Sequence, residues 1–239
     1  QHRPGRWVAE PTWPSPGVLE RELGLGDAGL FTDIDQVPND ARPHEISSPL
    51  SLGLYAGKWA SFTATPDLPV DQREEDGGSL NFDSTELTAP LEILGAPVVE
   101  LELSVDQPVA MVAVRLSDRR PDDAITRVTY GLKNLCHRDS HEHPEPLVPG
   151  ERYCVRIQLN EVAHHFAVGH SLRLELSTSY WPVAWPSPTP VRMTVDPAAS
   201  RLLLPVREPR PSEEAALRAF EPPEGSEPPS QTQLVPRDY

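Results

Sequence analysis

VVELELSV, residues 98–105, sets Val99, Leu101, Leu103 and Val105 on one side and Glu100, Glu102 and Ser104 on the other. A period of two is the mark of a half-buried β-strand, because successive side chains leave the pleat on opposite faces. The same reading extends outwards in both directions. Apolar or alternating runs at 109–116, 125–135, 153–159, 172–177, 191–195 and 202–206 predict further short strands, separated by Pro and Gly. Upstream, residues 18–25 and 30–34 predict an opening hairpin, and 79–82 predicts the strand that starts the main sandwich. Pro149-Gly150 and Val168-Gly169 put glycine where a turn before a strand can demand positive φ.

Composition agrees with an all-β chain. Among 239 residues there are 29 prolines and 14 glycines, which favours many short segments over long helices. No repeat of fixed period appears, which argues against a propeller or solenoid. The chain divides into three stretches. Residues 1–70 form an N-terminal strap carrying Trp7 and Trp13, opening strands and a long loop that belong to the sandwich domain; residues 71–207 are the main β-sandwich; residues 208–239 are a Pro/Glu-rich tail with too few apolar residues to offset its ordering entropy. Within that tail only residues 215–220 have the makings of a helical turn.

Charge and cysteine content exclude several functions. A formal charge of −15 repels phosphate backbones, and no Lys/Arg run interleaves with aromatics, so nucleic acid is not an expected partner. No apolar run approaches the roughly 20 residues that span a bilayer, so no membrane partner is expected either. The sequence opens at Gln1, which leaves localisation weakly constrained; the cytoplasm is the expectation. Cys136 and Cys154 are too few for a disulfide scaffold and read as free, buried thiols.

A search for chemistry finds no nucleophile. An α/β-hydrolase serine needs G-x-S-x-G on a strand-to-helix elbow. Gly169-His170-Ser171-Leu172 is followed by Arg173, and Gly77-Gly78-Ser79-Leu80 by Asn81, and both lead into strand-like sequence. His137, Asp139, His141, Glu142 and His143 crowd one loop, but Pro144 and Pro146 preclude the helix on which zinc hydrolases space their histidines, so no metal and no cofactor is expected. Glu100 and Glu102 sit two apart on an outward strand face and read as solvated. Trp59, Trp181 and Trp185 leave two readings open: stacking on a sugar, as in a stand-alone carbohydrate-binding sandwich, or an inter-domain apolar patch.

Several motifs in order carry more weight than any of them singly. DQREEDGGSLNF (71–82), LEILGAPVVELELSVD (91–106), VAVRLSD (112–118), RVTYGL (127–132), EPLVPGERYCVRIQL (145–159) and VGHSLRLELSTSYWP (168–182) together resemble the C-terminal domain of the CocE/NonD hydrolases, which include esterases and X-Pro dipeptidyl-peptidases. The resemblance implies a jelly-roll β-sandwich similar to galactose-binding domains. It also implies that the Ser, Asp and His of the triad belong to a preceding α/β-hydrolase domain, so that this chain has no catalytic residue of its own. The partners implied are that catalytic domain and, indirectly, a small acyl or peptide substrate. By the same resemblance the segment before Asp-Gln-Arg lies close to the acyl site, so Leu54, Tyr55 and Trp59, with Trp181 and Trp185, are candidate pocket or interface residues. Asp71, Gln72 and Arg73 are candidates for orienting that loop; a turn held by side-chain-to-backbone hydrogen bonds is the other reading. Where relatives have Phe-Pro and then Arg-Asn, this chain has Tyr180-Trp181-Pro182 and Ala184-Trp185-Pro186. That departure leaves the substrate class open.

Overall fold

The computed structural model describes residues 5–27, 29–32, 36–38, 41–57 and 69–210. The described residues fall into two units, residues 5–11 with 210 in one and those from 12 to 209 in the other. The described part of the smaller unit has no helix or strand. The larger unit is an all-β sandwich.

Its strands are β1 (Val18–Leu25), β2 (Gly29–Phe31), β3 (His44–Ile46), β4 (Leu80–Ser84), β5 (Leu91–Gly95), β6 (Val98–Val105), β7 (Met111–Arg119), β8 (Ile125–Asn134), β9 (Tyr153–Gln158), β10 (Val162–Phe166), β11 (Ser171–Ser177) and β12 (Met193–Arg207). A single turn of helix, α1 (Arg73–Asp76), precedes β4. The opening hairpin is there: Leu25 faces Leu30 and Gly24 faces Phe31 across β1 and β2. Residues 33–35, where that second strand was expected to end, and the predicted helical turn at 215–220 lie outside the described residues.

One layer is organised by β12. β6 runs along one side of it, and β1 and β3 pair with the other. β9 adds to β6, and β5 joins β12 at Val206 and carries β10. The second layer is β4–β11–β7–β8, antiparallel throughout, tied to the first by the parallel pair β2 and β4. Between the layers lie Val99, Leu101 and Leu103 of β6, Val112, Val114 and Leu116 of β7, Leu172, Leu174 and Leu176 of β11, and Phe82 of β4, all buried. The alternation read in residues 98–105 is therefore the inner face of β6.

Two expectations change. The runs 191–195 and 202–206 are one strand, because β6 pairs with both halves across an irregularity between Asp196 and Arg201. The Ser200 hydroxyl spans this bulge, donating to Asp196 O at 2.7 Å and accepting from Glu102 N at 3.1 Å. The cysteines are free but not buried. Val155 and Ile157 take the inner face of β9, so Cys154 between Tyr153 and Val155 must point outwards.

Candidate functional site

The outer face of the β4–β11–β7–β8 layer is unusual for what it carries. Register aligns Asp83, Arg173, Ser117 and Arg127 in one row, and Asn81, Glu175, Arg115 and Tyr130 in the next. Strand alternation puts these side chains opposite the core leucines and valines, where solvent would ordinarily meet them. Yet Arg115, Ser117 and Glu175 are fully buried. Three segments cover them: α1, the loop 49–57 and the segment 180–184.

The cover is held by polar groups of the Asp71–Asp76 stretch. Arg173 donates twice to Asp83, at 2.6 Å from both Nε and Nη2, and its Nη1 reaches Asp76 of α1. Burial pushes the Asp76 carboxyl up, and Arg173 opposes that rise. With α1 fixed in this way, the Glu75 carboxylate accepts from Gly53 N and Tyr55 N, both at 2.7 Å. Gln72 is fully buried and its amide donates to Tyr55 O at 2.9 Å and Val70 O at 2.7 Å. The loop is thus gripped at its donors by one side chain and at its acceptors by another. Asp71 accepts from Arg73 N at 3.1 Å and Ile125 N at 3.3 Å. Burial works against its charge, but the hydrogen bonds from Arg73 and Ile125 outweigh that and hold its pKa low. Arg73 is well exposed and pairs with Asp71 at 2.7 Å.

Gly53 permits the tightest approach. Its φ is +113°, and a Cβ there would lie 2.3 Å from Trp181 O and 2.7 Å from Trp181 N. The contact is sealed by Trp181 N donating to Leu52 O at 2.8 Å. Beneath it Leu52, Ala56, Met111, Ala113 and Tyr180 form a small apolar cluster separate from the main core. Gly53→Ala is expected to destabilise the domain by about 2–4 kcal/mol, combining strain at positive φ with a backbone clash that no rotamer relieves. Thermal denaturation checks this; an unchanged midpoint would mean that loop and segment are not in contact in solution.

What the clamp presents outwards is apolar. Leu54 is 62% exposed, Tyr55 37% and Trp185 81%. Trp185 meets the partly buried Trp181 edge to face, at 5.0 Å between ring centroids and 84° between planes. The Glu74 carboxylate hydrogen-bonds the Tyr55 hydroxyl and keeps its pKa above the ordinary phenol value. The structure therefore brings Leu54, Tyr55, Gln72, Trp181 and Trp185 into one region through the Gly53 contact. Trp59 lies outside the described residues. The sequence reading passed over Gly53, Glu75, Asp76, Arg115, Arg173, Glu175 and Tyr180. Charged residues at outward strand positions look solvated until something covers them, and only the apolar loop followed by DQREED hinted that something does.

Catalytic equipment is not part of this arrangement. Ser171 opens β11, and among the described residues no strand enters a helix through a G-x-S-x-G turn. No group of three His, Cys, Asp or Glu side chains there could hold a metal ion. None of the described helices is long and apolar enough to cross a membrane.

Fold and site define a β-sandwich that presents a shaped apolar face over a buried polar layer. The family described as the X-Pro dipeptidyl-peptidase C-terminal non-catalytic domain matches residues 1–217, and the chain belongs to it. Cocaine esterase of Rhodococcus sp. is 25% identical over 189 residues, covering 74% of this chain and 32% of the esterase. An aminopeptidase from a marine-sediment Thaumarchaeota archaeon superposes with a TM-score of 0.71 at 19% identity, over 85% of this chain and 39% of that one. An α-amino acid ester hydrolase superposes with a TM-score of 0.67 at 22% identity, over 79% and 36%. At these identities the two superpositions speak for the fold. The chain spans 30–32% of the length of the curated relatives it matches. The resemblance to the C-terminal domain of the CocE/NonD hydrolases is borne out.

Proposed function

We propose that this domain packs on an α/β-hydrolase catalytic domain of the same polypeptide, and that the loop 49–57 with Trp181 and Trp185 helps to wall its substrate pocket. The observation that carries the proposal is the pairing of exposed Leu54, Tyr55 and Trp185 with a buried clamp of Glu75 and Gln72. Ordering an apolar loop costs conformational entropy and exposing it costs hydration, so a chain that fixes one so firmly uses it against something. The near-perpendicular tryptophans do not make a common platform on which a sugar ring could lie, which favours an inter-domain patch over carbohydrate stacking. The names of the relatives suggest ester or N-terminal peptide substrates for the whole enzyme.

The test is to assay ester and X-Pro amide hydrolysis by this chain, by the α/β-hydrolase domain expressed separately, and by their mixture. An inactive chain that raises the turnover of the catalytic domain supports the proposal. Hydrolysis by this chain alone, or a mixture no better than its catalytic half, would overturn it.

A further inference from the structure

Acidic residues outnumber basic ones by 36 to 21 in this chain, and the arginines are taken up accordingly. Arginines with a carboxylate within salt-bridge distance include Arg73, Arg119, Arg156, Arg173, Arg201 and Arg207. Arg127 has none among the described residues, although it stands on β8 in the same row as Arg173 and Asp83.

Its surroundings are aromatic instead. The guanidinium lies 4.5 Å from the centroid of the Tyr130 ring, and Nη1 donates to the Tyr180 hydroxyl at 2.6 Å. Both tyrosines belong to the small apolar cluster under the loop, and Tyr180 leads directly into Trp181. The group is only partly buried. A second cation stands beside it. Arg115 is cross-strand neighbour to Tyr130, sits 5.3 Å from the Tyr180 ring, and donates to Ser79 Oγ at 2.7 Å. Its neighbour on the other strand is Glu175, whose carboxyl burial raises to about 8 against the opposing charge of Arg115. Of the two cations Arg127 is the one that reaches the surface, since Arg115 is fully buried.

We infer that Arg127 is the polar anchor of this face and receives a carboxylate side chain from the catalytic domain. The inference rests on the packing proposed above. Arginine held against aromatic rings has lost little further freedom to lose, and its remaining donors are oriented for a planar acceptor. Such residues are the ones that dominate interface energetics, and a charge pair that becomes desolvated on docking also fixes the register of the two surfaces.

Calorimetric titration of this chain against the separately expressed α/β-hydrolase domain, at low and high salt, tests it with three variants. Arg127→Gln is expected to weaken binding about ten-fold or more and to flatten the salt dependence. Arg127→Lys, which keeps the charge but not the fork, is expected to retain part of the affinity and most of the salt dependence. Arg156→Gln removes an exposed arginine that pairs with Glu100 on the other layer, away from this face; it is expected to bind within about three-fold of the wild type, which separates loss of the anchor from loss of any surface arginine. If the wild type binds and Arg127→Gln binds equally well, the anchor is refuted and the packing stands. If the wild type does not bind, the packing itself fails and the anchor with it.

Discussion

Replacing Arg173 with methionine is expected to destabilise the domain by about 3–5 kcal/mol, because it strands the Asp76 carboxylate under the cover and leaves Asp83 with only the Arg119 guanidinium, at 3.0 Å. Arg173 is 15% exposed, Asp76 9% and Asp83 24%, so little of this pair of salt bridges is screened by solvent. The side chain is bidentate to Asp83 while also reaching Asp76, a geometry lysine cannot reproduce. For a domain of this size the loss corresponds to a fall of about 10 °C in midpoint. It should reach the functional face as well: α1 would be released from β11 and β4, and Glu75 with it, so the amides of Gly53 and Tyr55 should lose protection from hydrogen exchange. Adding Asp76→Asn to Arg173→Met should recover part of the stability, since it removes the stranded charge. A midpoint within about 1 °C of the wild type in the single variant would show that the cover is open to water.

Glu175→Gln is expected to act in the opposite direction and to depend strongly on pH. The carboxyl is fully buried; burial lifts its pKa from the ordinary 4.5 to about 8, and the positive charge of Arg115 only partly offsets this. A folded pKa above the unfolded one means that the fold binds the proton more tightly. The stabilisation from keeping Glu175 neutral is complete below about pH 4.5 and is lost progressively as pH rises to about 8. Within that window the slope approaches about 1.4 kcal/mol per pH unit. Glutamine is neutral at every pH and nearly the same shape, so the variant should match the wild type near pH 5 and exceed it by several kcal/mol near pH 8. Chemical denaturation of both proteins across this range isolates the residue, because every other titrating group is shared. Parallel curves would mean that Glu175 is charged or hydrated in the folded domain.

The sequence was a reliable guide wherever one face of a strand meets the core and the other meets solvent. Residues 98–105 are the plainest case, and β1, β8 and β9 were legible for the same reason. Short strands without alternation were not. β3 has three residues and draws its pairing from β12, and β5 is held between β10 and β12. α1 was not legible because four residues carry no helical period. β12 read as two strands because Pro197 and the small residues after it look like a break, and only a partner strand pairing on both sides of the bulge makes it one.

Local pattern, then, determined the class of fold, most of its strands and, through the order of six motifs, the family. Those properties depend on residues close together in the chain, where alternation and turn chemistry act directly. The functional face depended on contacts between residues far apart. Glu75 meets Gly53 and Tyr55, Arg173 meets Asp76 and Asp83, and Gly53 meets Trp181 only after the layers have formed. A charged residue on an outward strand position has the same sequence signature whether water or another segment covers it, and burial, which decides its energy and its role, exists only in the tertiary structure.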